Sequence, residues 1–165
     1  MDKLYMEYAD YLTGVCARYI SDEDEVKDVL QDSFIKIFTQ IHQFEYRGKD
    51  SLKAWITKVV INEALMYLRQ NKTFLVPIQE SDIVDCLDEE PEMENLGADI
   101  LFSFIQKLPP GYRAVLNLFV IEEKSHKEIA EILQIQPATS ASQFLRARKL
   151  LAEMIREYKH QMENR

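Results

Sequence analysis

The chain has 165 residues, a formal net charge of −8 and 47% hydrophobic residues, which suits one folded domain or two small ones. Such acidity, taken over the whole chain, argues against a nucleic-acid partner, because DNA binding depends on neutralising phosphates. The charge is unevenly distributed, however: residues 73–100 carry nine acidic and no basic side chains, whereas residues 101–165 are mildly basic. Four glycines and little strand-like alternation predict an all-α fold of two small helical domains joined by a flexible acidic linker.

The periodicity of apolar residues predicts three helices in an N-terminal domain, residues 1–72. The first helix spans about residues 3–19, and the second begins near Ser21, whose hydroxyl is a candidate N-cap. Acidic residues follow in the first turn of the second helix, where the positive end of the helix dipole favours them. A glycine-containing loop, residues 44–50, precedes a third helix over about residues 51–70.

The segment after these helices, residues 73–97, contains two prolines and the acidic run Asp88-Glu89-Glu90. It lacks sustained periodicity, so we expect a linker rather than a third folded part. A C-terminal domain, residues 98–165, should open with helices over about residues 98–107 and 112–121, separated by a Pro-Pro-Gly break.

The pattern of a helix-turn-helix follows. Ser125 and Glu128 have the spacing of a capping box, in which each side chain accepts from the backbone N–H of the other residue. A short turn, residues 134–136, leads to Pro137, which suits the first position of a helix because its missing N–H costs nothing there. The second helix combines short polar and basic side chains, a combination typical of a helix that lies in the DNA major groove.

Two faces are predicted for this last helix. The inward face consists of apolar side chains: Phe144, Ala147, Leu150 and Leu151. The outward face is polar and basic, and is predicted to consist of Thr139, Ser140, Ser142, Gln143, Arg146, Arg148 and Lys149.

Nothing in the sequence predicts catalysis, a metal site or a cofactor. Asp28 and Asp32 lie four residues apart, but no histidine or third carboxylate joins them at ligand spacing. The histidines are isolated, and His126 is expected to be exposed. Cys16 and Cys86 form no metal or redox motif, the amino terminus does not resemble a signal peptide, and no apolar run approaches the roughly 20 residues of a membrane span. We therefore expect a cytoplasmic protein without direct membrane insertion.

Three segments resemble one family, the extracytoplasmic-function (ECF) sigma factors of the sigma-70 family. Residues 108–151 resemble its region-four domain, and EVKDVLQDSFIKIF resembles its clamp-binding helix. The segment FEYRGKDSLKAWITKVVINEALMYLR is similar to its promoter-melting segment, including the Arg-Gly, the Trp and the Asn seven residues later. Residues 1–72 are therefore identified as a region-two domain and residues 98–165 as a region-four domain.

The resemblance implies a subunit that directs bacterial RNA polymerase to promoters and melts them, without catalysis of its own. Its expected partners are promoter DNA, the clamp of the largest polymerase subunit, the flap of the second-largest subunit, and an anti-sigma factor. The residues expected to dock on the clamp are Asp28, Gln31, Asp32 and Phe34. Those expected to hold the melted minus-ten element are Tyr46, Arg47, Lys49, Lys53, Trp55, Lys58 and Asn62, and those expected to recognise the minus-thirty-five element are Thr139, Ser142, Gln143, Arg146 and Lys149.

Individual roles follow from the same resemblance. Asn62 matches a position that contacts a base flipped from the non-template strand, while Trp55 is either a core anchor or a contact to the edge of the duplex. Ala141 and Gln143 are uncharged where the family usually has basic residues, so fewer phosphate or guanine contacts are expected. Gln134 stands where the family usually has glycine, and a left-handed conformation there costs roughly 1 kcal/mol.

Some alternatives stay open. The chain could be a stand-alone helix-turn-helix regulator, which would bind duplex DNA without polymerase, usually as a dimer. It could also be a polymerase-binding adaptor without promoter selectivity. The acidic linker is either a solvated tether or a segment that occupies a nucleic-acid channel of the polymerase before RNA does.

Overall fold

A computed structural model of the chain describes residues 2–71 and 96–164. Both described parts are helical and contain no strand, which confirms the all-α fold. The chain divides into two compact units, Met1–Lys72 and Thr73–Arg165. Residues 72–95, which include the acidic run, both linker prolines and Cys86, lie outside the described residues. None of the described helices is long and apolar enough to cross a membrane.

The first unit is a three-helix arrangement of α1 (Asp2–Ala17), α2 (Glu23–Gln40) and α3 (Ser51–Gln70), with a 3-10 turn (Ile41–Gln43) after α2. Each helix contributes an apolar stripe, because its buried side chains recur every three or four residues. The core is formed by fully buried residues of all three helices and the α1–α2 connection, including Leu12, Val15, Tyr19, Ile20, Ile37, Ile56, Val60 and Ala64.

The N-cap of α2 is Asp22 rather than the predicted Ser21. The Asp22 carboxylate accepts hydrogen bonds from the backbone N–H groups of Asp24 and Glu25, both at 3.0 Å. A carboxylate accepts the same backbone N–H groups as a hydroxyl at this end of a helix, and it also carries the negative charge that the helix dipole favours.

The second unit contains α4 (Ala98–Lys107), α5 (Pro110–Val120), α6 (His126–Leu133) and α7 (Pro137–Glu163). Helix α5 begins two residues before the predicted position, because Pro110 fits a first helical turn. Helices α4, α5 and α7 share a core whose buried members are Phe104, Leu108, Tyr112, Leu116, Ala147, Leu151 and Ile155.

The predicted capping box and turn are confirmed in the helix-turn-helix. The Ser125 N–H donates to Glu128 at 2.8 Å, and the Glu128 N–H donates to the Ser125 hydroxyl at 3.3 Å. The Ser125 hydroxyl also donates to the Glu128 carboxylate, at 2.9 Å. Together, the hydrogen bonds from the N–H and the hydroxyl of Ser125 lower the pKa of the Glu128 carboxyl. Gln134 ends α6 in the left-handed conformation, with φ 57° and ψ 45°, and Pro137 opens α7.

A buried arginine that sequence reasoning missed completes the second unit. The Arg113 guanidinium donates to the carbonyl oxygens of Gln106 and Leu108, both at 2.7 Å, and to that of Ile105 at 3.2 Å. It thereby caps the last turn of α4, where carbonyls lie beyond the regular intrahelical hydrogen-bond pattern. The Ile105 carbonyl also accepts from the Leu108 N–H at 3.2 Å. Burial lowers the pKa of this guanidinium.

Candidate nucleic-acid interface

The start of α7 carries the residues predicted to recognise DNA. Thr139, Ser142 and Arg146 are half-buried, and Lys149 is exposed. The Ser142 hydroxyl donates to the carbonyl of Ala138 at 2.9 Å. These four side chains are at least partly accessible, as a DNA-facing surface requires.

The predicted outward orientation is wrong at two positions of α7. Ser140 is 0% and Gln143 is 1% exposed. Positions 140, 143 and 147 are spaced three and four residues apart, so Ser140 and Gln143 continue the inward stripe of Ala147. A side chain buried in this way does not reach a base edge, so Gln143 is removed from the candidate minus-thirty-five contacts.

The Gln143 amide is also unpaired. Neither its Nε2 nor its Oε1 atom has a hydrogen-bond partner among the residues that the structure describes. An unsatisfied buried polar group costs about 1–3 kcal/mol. This position therefore carries a local penalty just beneath the helix surface that would face DNA.

His126 links the two helices of the motif and is half-buried rather than exposed. Its Nδ1 atom lies 2.9 Å from the hydroxyl of Ser140, which belongs to α7. Its ring stacks on Phe119 at a centroid distance of 4.7 Å. The contact fixes the N-terminal turns of α7 against α6 and α5, and so positions the helix that is predicted to enter the major groove.

Arg146 and Arg148 of α7 are held by neighbouring aromatic side chains. Arg146 donates to the Tyr112 hydroxyl at 3.4 Å, and the Arg148 guanidinium lies 5.9 Å from the Phe144 ring centroid. Arg146 and Lys149 lie three residues apart on one side of the helix, as predicted. Arg148 is turned away from them.

A second candidate surface lies on α3 in the first unit. Trp55, Lys58 and Asn62 follow one another at spacings of three and four residues, which places them on one side of the helix. Lys58 and Asn62 are exposed. Trp55 is half-buried and packs on Phe44 with ring centroids 5.5 Å apart, so it combines packing in the unit with an accessible edge.

A pocket of about 420 Å³ opens at the Trp55 end of this surface, and neither Lys58 nor Asn62 lines it. Its walls come from the loop before α3 and from the first turns of α3: Gln43, Phe44, Glu45, Arg47, Ser51 and Trp55. Aromatic rings with a few polar groups are the lining that an unstacked nucleobase requires, because it is bound by stacking and by hydrogen bonds at its edge.

The loop itself is open to solvent. Tyr46 is 75% exposed, and Lys49 is also exposed. Arg47 pairs with Glu45 at 3.0 Å, and both side chains are largely exposed. Gly48 adopts a φ of 111°, which favours glycine, and the Ser51 hydroxyl ties the loop to α3 by donating to the Gly48 carbonyl at 2.7 Å.

Lys53 does not join this surface. It lies nine residues before Asn62, which is two and a half turns of an α-helix, so the two side chains project from opposite sides of α3. The Lys53 ammonium instead lies 4.2 Å from the centroid of the Tyr11 ring of α1. This cation–π contact occupies the lysine within the unit.

The four residues of α2 that were predicted to bind the clamp do not all lie on its exposed side. Asp28, Gln31 and Asp32 are exposed, but Phe34 is only 6% exposed. The Phe34 ring packs under Tyr5 of α1 at a centroid distance of 4.9 Å. The prediction that Phe34 contributes an exposed contact is therefore wrong, because this side of α2 faces α1.

An apolar hollow in the second unit was not predicted. It measures about 310 Å³ and is lined by Leu101, Ile105, Leu116, Asn117, Val120, Ile121, Arg148, Leu151 and Ile155. Val120 and Ile121, at the end of α5, are 58% and 46% exposed. Exposed consecutive apolar residues are the only sequence signal for the hollow, because its walls come from three helices.

Within residues 2–71 and 96–164, no group of three or more His, Cys, Asp or Glu side chains is placed to hold an ion.

Comparison with known proteins places both units in one family. Residues 4–74 match the family Sigma-70 region 2, and residues 98–151 match Sigma-70, region 4. The chain is 30% identical to the ECF RNA polymerase sigma-E factor of Haemophilus influenzae, with 92% of this chain and 85% of the relative covered. It is 26% identical to the ECF sigma factor SigM of Bacillus subtilis, with 92% of each covered.

A solved structure has the same fold. The sigma factor RpoE of Bartonella quintana, determined in complex with the anti-sigma factor NepR, is 22% identical to this chain, with a TM-score of 0.51. The alignment covers 94% of this chain and 96% of that one. The matches to Sigma-70 regions 2 and 4, together with the 30% identity to an ECF sigma factor over 92% of the chain, lead to one conclusion: the chain belongs to the ECF sigma factors of the sigma-70 family, which direct RNA polymerase to promoters.

Proposed function

We propose that residues 1–72 of this sigma factor bind core polymerase and hold the melted minus-ten element, and that residues 98–165 recognise the minus-thirty-five element. The observation that carries this proposal is the surface of Trp55, Lys58 and Asn62 beside the aromatic pocket. It combines a ring, a cation and an amide, which are the groups that bind single-stranded DNA.

The proposed capture of a flipped base uses these groups in distinct ways. The Asn62 amide donates and accepts hydrogen bonds at the edge of the base, while Phe44 and Trp55 supply the stacking wall. Lys58, together with Lys49 and Arg47 of the loop, supplies positive charge for the neighbouring phosphates. Tyr46, which is 75% exposed, is a further stacking platform.

Recognition of the minus-thirty-five element is assigned to Thr139, Ser142, Arg146 and Lys149. With few cations on this surface, the free protein should bind promoter DNA weakly and with a strong dependence on salt. Polymerase compensates by holding both units on one promoter, which raises the effective concentration of each at its element.

The proposed protein partners use other surfaces. Asp28, Gln31 and Asp32 of α2 face the clamp of the largest polymerase subunit, and the apolar hollow of the second unit accepts the flap of the second-largest subunit. A sigma factor with this fold has been solved with an anti-sigma factor, and we extend that kind of regulation to this chain. The site of action is then the cytoplasm, where polymerase is.

The test is run-off transcription from a genomic fragment library with purified core polymerase from a related bacterium, with and without this protein. We expect specific transcripts that disappear with Asn62→Ala. The matched control is Gln70→Ala, which removes another exposed amide of α3 outside the Trp55 surface and should leave the transcripts unchanged.

Three other results would point elsewhere. Binding to core without any specific transcript would favour an adaptor, an interpretation that the uncharged Ala141 and the buried Gln143 support. Binding to duplex DNA without core would favour a stand-alone regulator. Full transcription by the Asn62→Ala variant would overturn the proposed base capture.

A further inference from the structure

The exposed side of α2 carries one large apolar residue. Asp28, Gln31, Asp32 and Ile35 follow at spacings of three, one and three residues, so all four lie on one side of the helix. The Ile35 side chain is 56% exposed, whereas its neighbour Phe34 is 6% exposed. Phe34 is therefore part of the core, and Ile35 is the apolar residue that a partner of this surface would meet.

The surroundings of Ile35 match those of an energetically dominant interface residue. Asp28, Gln31 and Asp32 form a polar margin toward the start of the helix, and the exposed Thr39 lies one turn beyond Ile35. Such contacts consist of an apolar anchor that becomes desolvated and a polar rim that excludes water from it. Single exposed isoleucines are common on protein surfaces. Ile35 differs because it lies on the charged side of α2, where the carboxylates of Asp28 and Asp32 favour a basic partner.

The position of Ile35 is also held firmly by the helix beneath it. Phe34 packs between Tyr5 of α1, at 4.9 Å, and Phe38, at 6.0 Å between ring centroids. On the other flank, Lys36 forms an ion pair with Glu63 of α3. The residues on both sides of Ile35 are thus fixed to different helices, so the backbone that carries its side chain is already ordered before binding.

We infer that Ile35, and not Phe34, is the apolar anchor of the surface by which this sigma factor docks on core polymerase. This inference rests on the proposed function. The carboxylates of Asp28 and Asp32 call for a basic partner, and the side chain of Ile35 calls for an apolar recess between the basic groups. The partner that binds this surface is a basic helical segment of the polymerase clamp.

The test measures the dissociation constant of fluorescently labelled full-length protein for core polymerase, together with the melting temperature of each variant. Ile35→Ala should weaken binding about tenfold, equivalent to about 1.4 kcal/mol, with an unchanged melting temperature. Ile35→Leu should bind within about threefold of the original protein, because it retains the apolar volume. Ile41→Ala is the matched control: Ile41 is a 39% exposed isoleucine outside the α2 surface, and its replacement should leave binding unchanged.

A third variant separates Ile35 from its neighbour. Phe34→Leu should lower the melting temperature while the folded fraction binds core with the original affinity. If Phe34→Leu weakens binding without a change in melting temperature, Phe34 is the anchor and the inference is overturned. Equal weakening by Ile35→Ala and Ile41→Ala also overturns it, because the effect would then be general.

Failure of the inference differs from failure of the proposed function. If the unaltered protein binds core and Ile35→Ala binds equally well, only the role of Ile35 is refuted. If the unaltered protein does not bind core at all, the proposed function fails, and the inference that depends on it fails too.

Discussion

The carboxylate of Glu63 lies 2.5 Å from the ammonium nitrogen of Lys36, and this ion pair joins α3 to α2. The Glu63 side chain is 9% exposed, whereas that of Lys36 is 41% exposed. Since Glu63 follows Asn62 directly, the pair fixes the rotation of α3 that presents Asn62 to solvent. A structural contact between helices thereby supports the candidate DNA surface.

Breaking this pair from one side should destabilise the first unit. Lys36→Met leaves the Glu63 carboxylate in a mostly buried site without its cation, and we expect a loss of about 1–3 kcal/mol in the free energy of unfolding. The expected cost is below that of a fully buried pair because water reaches Lys36. Urea unfolding followed by circular dichroism measures it.

The double variant Lys36→Met/Glu63→Leu serves as the control for this prediction. It removes both charges, so it should recover most of the lost stability. If the loss of stability in the double variant equals the sum of the losses in Lys36→Met and in Glu63→Leu, the two groups do not interact.

The unpaired amide of Gln143 predicts a stabilising substitution. Gln143→Leu replaces a buried group that lacks hydrogen bonds by an apolar one of similar size, and should raise the free energy of unfolding by about 1–2 kcal/mol. Differential scanning calorimetry checks this as a higher melting temperature. Gln161→Leu, at an exposed position of the same helix, should give no increase. A lower melting temperature for Gln143→Leu would mean that the amide forms hydrogen bonds in solution.

The left-handed conformation of Gln134 predicts a second stabilising change. Gln134→Gly should increase stability by about 1 kcal/mol, because glycine adopts positive φ without the steric cost of a Cβ atom. The control is Gln136→Gly two residues later, where φ is −80° and glycine offers no relief. Chemical denaturation of both variants measures the difference, and equal effects would contradict a conformational origin.

The capping box predicts a pH dependence of stability. The pKa of Glu128 is lowered in the folded chain from an ordinary value of 4.5 by hydrogen bonds from Ser125. A lowered folded pKa means that the contribution is fully present above pH 4.5 and is lost as the pH falls through the folded pKa. Glu128→Gln should therefore lower the melting temperature at pH 7 and have a smaller effect at pH 3.

Its control is Glu131→Gln on the same helix, outside the capping box. This variant should follow the unaltered protein at both pH values. If Glu128→Gln melts at the same temperature as the unaltered protein at pH 7, the charge of the capping box contributes nothing measurable.

Local signals predicted the helices well, whereas the orientation of side chains depended on tertiary packing. The third and fourth predicted helices, residues 51–70 and 98–107, agree with α3 and α4 because loop residues and prolines mark their ends. Adjacent residues of a helix point in directions 100° apart. The prediction placed Phe34 on the exposed side of α2, whereas the exposed apolar residue is its neighbour Ile35. Arg113 had no local signal at all, since its acceptors lie at the end of another helix.

The site residues show the same difference between what local spacing predicts and what tertiary packing decides. Lys58 and Asn62 lie on one surface as their spacing predicts, whereas Lys53 is drawn to the ring of Tyr11, a contact between distant parts of the sequence. Gln143 was placed outward because it is polar, but polarity does not override the position of a residue in the stripe that packs against the other helices.

Helix α7 runs without interruption from Pro137 to Glu163, a rod of about 40 Å at 1.5 Å per residue. Its first turns carry the residues assigned to DNA, and its middle carries Leu151 and Ile155, which line the apolar hollow. A rigid rod cannot tilt at one end alone. A molecule that binds in the hollow would therefore change the angle of the whole helix, including the first turns that we propose present Thr139 and Arg146 to the promoter.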